Sequence, residues 1–235
     1  MVSLIDKSQV EQVVGTKIKN LGLYQKAFTH KSALKEYENL TESFETLEFI
    51  GDSVLGFVIT KYLFDRYENK QEGFLTKART KLVRGETLAH IASHLNLDKY
   101  VIMDEKGMRN SWNTNTKILE DVFEALIGAI YMDIGLIHAK EFILRIYQDP
   151  AIIDMNMIMI DDNYKDHLMR HCQVNNWELP EYRVSGHHEG VFYIDMYVQG
   201  AFLARGVAKS KKQAEQNGAR SYFELIGTYT KYDYT

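Results

Sequence analysis

The sequence predicts an all-α domain followed by a small α+β domain with the element order α-β-β-β-α. In the first part, as far as about residue 148, apolar side chains recur with the 3.6-residue period of helices. After Pro180, apolar and polar residues alternate in three short runs that turn residues separate, as in strands. We therefore expect domains over 1–150 and 162–228, a linker over 151–161 and a tail over 229–235.

The elements of the first domain follow from this helical period, because apolar stripes of that spacing mark helices with a buried face. The predicted elements are helices over 6–23, 24–35, 45–64, 74–97 and 117–131, with an exposed loop over 103–116. Gly22 lies just beyond the first apolar stripe, where a glycine commonly caps a helix.

The second domain begins with a predicted helix over 164–174. Three predicted strands follow, around Tyr182–Val184, Phe192–Val198 and Phe202–Val207. A final helix begins after Ser210, a good N-cap residue, and continues to Leu225. One helical layer can cover a sheet of this size.

The helix at 45–64 carries three carboxylates on one stripe of an otherwise apolar surface. Glu45, Glu48 and Asp52 stand at i, i+3 and i+7. Buried carboxylates repel one another and are costly unless positive charge neutralises them. Oxygen ligands without cysteine or histidine suit Mg²⁺ or Mn²⁺ better than zinc. The stripe therefore predicts a divalent cation beside it.

The helix at 117–131 carries a second acidic pair, Asp121 and Glu124. Four small residues beside the acids allow the two acidic helices to approach closely: Gly51, Gly56, Ala125 and Gly128. A cluster of Glu48, Asp52, Asp121 and Glu124 would then bind metal ions and hydrolyse a phosphate ester. The alternative is that each acidic pair faces water or pairs with a nearby lysine or arginine.

Three lysines gather at the start of the last helix: Lys209, Lys211 and Lys212. The free N–H groups and partial positive charge of a helix N-terminus attract phosphate, so the lysines predict a phosphate site there. A solvated surface is the alternative. His187 and His188 lie in the loop between strands, where a groove contact or loop polarity is favoured over metal binding.

Composition excludes several classes of protein. The net charge of −4 indicates that any nucleic-acid surface is local. A single cysteine, Cys172, excludes an internal disulfide framework, and we expect no disulfide-linked partner. No apolar run reaches about 18 residues, and the start of the chain lacks the apolar segment of a signal peptide. We expect a cytoplasmic protein without a membrane partner.

Four motifs in chain order resemble those of the ribonuclease III family. They are FTHKSA at 28–33, ETLEFIGDSVL at 45–55, LVRGETLA at 82–89 and DVFEALIGA at 121–129. Residues 179–182 (LPEY), the pair His188 and Phe192, and residues 210–216 (SKKQAEQ) resemble a double-stranded-RNA-binding domain. The resemblance implies an all-α endonuclease domain followed by a small α+β (α-β-β-β-α) double-stranded-RNA-binding domain.

The resemblance implies a homodimeric endoribonuclease that cuts double-stranded RNA to 5′-phosphate and 3′-hydroxyl ends with short 3′ overhangs. The implied ligands of the catalytic Mg²⁺, which Mn²⁺ would replace, are Glu48, Asp52, Asp121 and Glu124. Glu45 and Glu72 would line the cleavage groove, and Phe49 would insert into the partner subunit. Lys117, just before the second acidic helix, is a candidate for approaching the scissile phosphate.

In the second domain, the residues expected to contact RNA are Lys165, His188, Lys209, Lys211 and Lys212. Recognition of A-form duplex relies on its shape, phosphates and 2′-hydroxyls over about 16 base pairs. Two other functions compete with this prediction. The chain could be a double-stranded-RNA-binding protein that has lost cleavage, or a metal-dependent hydrolase of small phosphate esters.

The chain also departs from the family pattern at several positions. Thr46 replaces the usual arginine of the signature, which predicts a weaker subunit contact and an unchanged metal site. Lys165 and Asp166 stand where a Gln-Glu pair is common. Asn217 and Gly218 replace the usual alanines, and glycine inside a helix costs up to about 1 kcal/mol relative to alanine. No departure removes a proposed metal ligand.

Overall fold

The computed structural model of the protein describes residues 4–160 and 162–227, and the chain divides into two units, 1–159 and 160–235. The predicted tail at 229–235 lies outside the described residues, and the predicted domain boundaries stay predictions. Within the described ranges, no helix is both long and apolar enough to cross a membrane.

The first unit is helical. Its helices are α1 (Lys7–Val14), α2 (Leu21–Ala27), α3 (Glu45–Arg66), α4 (Glu72–Val83), α5 (Gly85–His94), α6 (Glu105–Arg109), α7 (Thr116–Ile134) and α8 (Leu136–Tyr147). Helix α7 lies at the centre, because α2, α3, α5 and α8 all pack against it. All but the ends of α7 is therefore buried, as its apolar residues on several sides predict.

Three predicted helices are each broken in the structure. The prediction of one helix over 24–35 was wrong: α2 ends at Ala27 and a separate 3₁₀ turn covers Lys31–Lys35, because the backbone of Phe28 and His30 hydrogen-bonds to Ile102 instead. The helix expected over 6–23 ends at Gly15, whose positive φ of 83° caps α1, and Gly22 lies inside α2 instead of capping a helix. The helix expected over 74–97 is interrupted at Arg84, whose extended ψ of 149° separates α4 from α5. An apolar period continues across such a break when both helices face the same core.

The prediction of an exposed loop over 103–116 was only partly correct. It contains α6 and a 3₁₀ turn over Trp112–Thr114. Asp104 caps α6 by accepting a hydrogen bond from the Gly107 amide at 3.0 Å. Asn115 caps α7 in the same way through the Lys117 amide, at 2.8 Å. The Asn115 cap therefore marks where α7, the helix with the second acidic pair, begins.

Helices α3 and α7 are in backbone contact at two glycines. A Cβ atom on Gly51 would overlap the carbonyl oxygen of Glu124, and one on Gly128 would overlap the carbonyl oxygen of Leu47. The expected close approach of the two acidic helices is thus present. The expectation for Gly56 was wrong, since a Cβ atom there would meet nothing within 4 Å.

Residues after α8 continue along the first unit as far as a 3₁₀ turn over Met155–Met159. Ile153 and Ile158 are buried, and the Lys81 ammonium group donates to the carbonyl oxygen of Met157 at 3.1 Å. Most of the stretch that the sequence predicts as linker therefore packs against the helices, because its isoleucines add to their apolar core.

The second unit has the predicted order of elements, which confirms the fold class. They are α9 (Tyr164–Val174), β1 (Glu181–His188), β2 (Val191–Val198), β3 (Ala201–Ala208) and α10 (Lys211–Leu225). The strands form an antiparallel sheet in the order β1-β2-β3. Its core consists of Leu168, Cys172, Met196, Val198, Ala204, Ala219, Tyr222 and Phe223. Gly206 lets α10 approach β3, because a Cβ atom there would overlap the Ala214 carbonyl oxygen.

Candidate active site

Three carboxylates meet where α3 and α7 are in backbone contact. Glu48 from α3 and Asp121 and Glu124 from α7 each place an oxygen within 4.8 Å of the others. Asp121 and Glu124 are buried, and Glu48 is half-buried. The close approach at Gly51 and Gly128 holds these side chains together because it leaves no space between the two helices.

Asp52, the fourth predicted ligand, lies one turn after Glu48 and is exposed. It lies outside the group of three but faces the same cavity of about 360 Å³. The lining residues are Glu45, Glu48, Phe49, Asp52, Val83, Lys117, Glu120 and Glu124. The structure therefore brings three of the four predicted ligands together, and the fourth, Asp52, lines the cavity that Glu48 and Glu124 also line.

The carboxylates perturb one another electrostatically. Burial raises the pKa of Glu124 to about 8, and the charges of Asp52, Glu120 and Glu48 add to the effect. Burial also raises the pKa of Glu48, with a further contribution from Asp121. The raised pKa values indicate that positive charge at this position would stabilise the ionised cluster.

Lys117 supplies one positive charge. Its Nζ lies 2.7 Å from Asp121 Oδ1 and 3.5 Å from Glu120 Oε2, and the ion pair with Asp121 raises the pKa of the lysine. One ammonium group cannot neutralise the cluster. A donor set consisting only of carboxylate oxygens fits a hard divalent cation, with Glu48, Asp121 and Glu124 as candidate ligands and Asp52 beside them.

Of the two further acidic residues, the structure places one beside this cavity. Glu45 lines it and is held by Lys31 Nζ at 3.1 Å and by the Ser43 hydroxyl at 3.2 Å. The hydrogen bond from Lys31 lowers the pKa of Glu45. Glu72 is exposed at the start of α4, accepts a hydrogen bond from Thr76 at 2.7 Å, and is not among the lining residues described. Its place in a cleavage groove stays a prediction.

Phe49 is 77% exposed at the edge of the cavity. Phe57 and Phe64, 61% and 63% exposed, lie 8 and 15 residues further along α3. At 100° per residue, these three side chains share one face of the helix. Exposed phenylalanines on a single face indicate a surface that another protein covers.

The sequence did not predict two of the lining residues, Val83 and Glu120. Glu120 stands four residues before Glu124, so helical spacing could have placed both on one face. No comparable signal existed for Val83. It is the last residue of α4, next to the break at Arg84 that the sequence did not predict.

In the second unit, Lys209, Lys211 and Lys212 are exposed around the N-terminus of α10. Lys211 Nζ also lies 5.7 Å from the centre of the Phe192 ring. His188 is exposed at the end of β1. This arrangement presents several cationic groups beside the free N–H groups of a helix, which suits the binding of phosphates.

Lys165 differs from these residues. It is half-buried, its Nζ lies 2.5 Å from Glu215 Oε2, and it lies 4.5 Å from the centre of the Tyr182 ring. Both contacts join α9 to the rest of the second unit. Its contact with RNA stays a prediction, and its contacts within the second unit contribute to packing.

Comparison with known proteins matches both units to described families. Residues 20–150 match the family described as Ribonuclease-III-like, and residues 164–225 match the double-stranded RNA binding motif. Ribonuclease 3 of Chlorobium luteolum is 39% identical over 207 residues, which cover 85% of this chain and 74% of that protein. The putative protein A464R of Paramecium bursaria Chlorella virus 1 is 42% identical over 228 residues, which cover 95% of this chain and 80% of that protein.

A solved structure is also similar to the first unit. It is the nuclease domain of ribonuclease III from Campylobacter jejuni, in a study of structural flexibility in a region involved in dimer formation. It is 36% identical, with a TM-score of 0.55, and the match covers 60% of this chain and 94% of that chain.

Proposed function

The chain belongs to the ribonuclease III family and is an endoribonuclease, and we propose that its carboxylate cluster binds Mg²⁺ and cleaves double-stranded RNA. The proposed products carry 5′-phosphate and 3′-hydroxyl ends with short 3′ overhangs. The observation that carries the proposal is the group formed by Glu48, Asp121 and Glu124, with Asp52 beside it and the pKa of Glu124 raised to about 8. Mn²⁺, which also accepts oxygen ligands, would substitute.

When bound, Mg²⁺ would activate water and stabilise the charge on the phosphate and leaving oxygens. The protein residues have three roles around it. Glu48, Asp52, Asp121 and Glu124 would hold the ion in their ionised form, and the close packing of α3 against α7 would position them before RNA arrives. Lys117 contributes an ammonium group in the cavity that can contact a phosphate oxygen, and Glu45 lies at the edge with Lys31.

The second unit would deliver the duplex. The proposed contacts are phosphates across the major groove at Lys209, Lys211 and Lys212, and a minor-groove contact at His188. These lysines are exposed, as such contacts require. Binding through phosphates is sensitive to salt and only weakly dependent on sequence. The free thiol of Cys172 is buried, which suits the reducing cytoplasm where we propose that the protein acts.

We propose a homodimer because one carboxylate cluster cuts one strand, and cutting both strands requires two clusters. The exposed phenylalanines of α3 offer a surface for a second copy, with Phe49 at the edge of the cavity. The related Campylobacter jejuni domain has a region involved in dimer formation. An inactive RNA-binding protein would derive no benefit from these mutually repelling carboxylates, so the exposed phenylalanines and the cluster together favour an active dimer.

The test is cleavage of a uniform RNA duplex by the purified protein with Mg²⁺ or with EDTA. We expect fragments with 5′-phosphate ends only with Mg²⁺. The Asp52→Ala and Glu124→Gln variants should bind the duplex while cleavage falls by about 10²-fold or more. Glu141→Gln, a carboxylate change on the exposed surface of α8, serves as the control and should cut normally.

Two outcomes would overturn the proposal. A duplex that is shifted but uncut under all conditions would identify an RNA-binding protein without cleavage. Hydrolysis of a small phosphate ester that excess duplex RNA does not inhibit would identify a metal-dependent hydrolase of small phosphate esters.

A further inference from the structure

Glu120 is an acidic residue of the cavity to which the proposed reaction gives no role. Its side chain is 22% exposed and lines the cavity together with Lys117 and Glu124. It is outside the group of three carboxylates whose oxygens lie within 4.8 Å of one another, so the structure does not assign it as a metal ligand.

Lys117 lies between two carboxylates on successive residues. Its Nζ is 2.7 Å from Asp121 Oδ1 and 3.5 Å from Glu120 Oε2. A divalent cation that binds Asp121 competes with this ammonium group, because both need the same carboxylate and like charges repel. Lys117 must then leave Asp121, and Glu120 is the acid that already lies within reach.

The position of Glu120 depends on a neighbouring helix. The carboxylate lies against Gly85, the first residue of α5, where a Cβ atom would come within 2.5 Å of Glu120 Oε2 and 2.8 Å of its Cδ. The N-terminus of a helix carries partial positive charge, which attracts a carboxylate. Gly85 therefore leaves the space that holds Glu120 beside Lys117 and away from the solvent.

We propose that Glu120 is a positioning residue for Lys117, whose ammonium group it retains in the cavity when a divalent cation takes over Asp121. Without Glu120, Asp121 is the one carboxylate within 4 Å of the ammonium group among the residues that the structure describes, so the ammonium group competes more strongly with the metal or swings into solvent. Glu120 would thus separate the site of the metal from the site of the lysine. The inference rests on the proposed function, since it assumes that Asp121 is a metal ligand.

A double-mutant cycle tests this inference, because it measures whether Glu120 acts through Lys117. The four proteins are the unmodified chain, Glu120→Gln, Lys117→Met and the double variant. The first readout is Mn²⁺ affinity by calorimetry, which does not depend on cleavage. The second is the single-turnover cleavage rate of saturating duplex at saturating Mg²⁺.

With Lys117 present, we expect Glu120→Gln to weaken Mn²⁺ binding by about 3-fold and to slow cleavage by about 5–10-fold. In the Lys117→Met background, both effects should shrink to less than about 2-fold. Equal fold-changes in both backgrounds would overturn the inference, because Glu120 would then act only by its charge on the metal. Glu120→Asp retains the charge with a shorter reach, and we expect it to behave like Glu120→Gln.

Gly85→Ala provides a second variant that leaves every charge in place. Its added methyl group displaces the Glu120 carboxylate, so cleavage should slow in the presence of Lys117 and not in its absence. Thermal melting of each variant verifies folding. If the unmodified protein cuts no duplex, the proposed function fails, and the Mn²⁺ affinities of the four proteins still decide the role of Glu120. If the unmodified protein cuts the duplex and the effects of the two substitutions simply add, the inference about Glu120 alone fails.

Discussion

Gly51 of α3 lies directly against the backbone carbonyl group of Glu124 in α7, where a Cβ atom would overlap the oxygen. We therefore expect Gly51→Ala to destabilise the protein by about 3 kcal/mol or more, because two backbones would have to separate. Urea unfolding measures the loss. Gly56→Ala on the same helix is the matched control: a Cβ atom there meets nothing, and better helix propensity should leave stability unchanged or raise it by up to about 1 kcal/mol.

The raised pKa of Glu124 predicts how stability depends on pH without metal. The folded protein holds the Glu124 proton up to about pH 8, whereas the unfolded chain releases it near 4.5. Stability should therefore fall as pH rises between these values and level off above pH 8. We expect the Tm in EDTA to decrease by about 3–10 °C from pH 5 to pH 8. Glu124→Gln should flatten this dependence; an equally steep fall in that variant would contradict the assignment.

The same pKa predicts that Mg²⁺ and a proton compete for Glu124. Metal affinity should rise with pH and reach a plateau above about pH 8, with proton release on binding at pH 7. Calorimetry in two buffers of different ionisation enthalpy measures the released protons. If Glu124→Gln leaves the number of released protons unchanged, the proton comes from another group.

The lysines before and in the first turn of α10 should contribute through phosphate contacts. For Lys211→Ala together with Lys212→Ala, we expect weaker duplex binding and a salt dependence reduced by about 2 in log–log slope. Filter binding at several salt concentrations measures both. Lys140→Ala, on the exposed surface of α8, is the control and should leave the slope unchanged. Cleavage of saturating duplex should be nearly unaffected, because the proposed metal site is in the other unit.

The exposed phenylalanines of α3 predict that this face of the helix forms the dimer interface. Phe57→Glu places a charge on that face, where a partner subunit would have to desolvate it. We expect sedimentation velocity to show a shift from dimer to monomer. Ile137→Glu changes an even more exposed apolar residue, on α8, and should leave the dimer intact. A dimer that tolerates Phe57→Glu and dissociates with Ile137→Glu would place the interface elsewhere.

The sequence predicted α3, α7 and the whole second unit correctly because each apolar run there has one clear period. It failed at Gly15 and Arg84, where the apolar period continues while the backbone changes direction. The predicted loss of helix stability from Gly218 is likewise incomplete, because it leaves out the neighbouring strand. In the structure, a Cβ atom at Gly218 would lie 3.0 Å from the Gly206 amide nitrogen, so the glycine also provides room for β3. Helix propensity alone cannot show such a tertiary contact.

For the candidate site, helical spacing and small residues predicted which acids meet. They could not predict that Asp52 is exposed beside the group, because its exposure depends on how α3 lies against its neighbours. Nor could they predict Val83, which lies at the end of α4 beside the cavity. Glu72 shows a further limit, since a position in the chain does not say which surface a side chain reaches.

The central position of α7 has a consequence for selection on this protein. The helix that carries Asp121 and Glu124 is also the helix on which four others pack, so its acidic residues weaken the structure at its most connected element. Laboratory evolution for heat resistance alone, without a demand for activity, should therefore replace these carboxylates early. Under the proposed function, these acids are a trade-off between activity and stability.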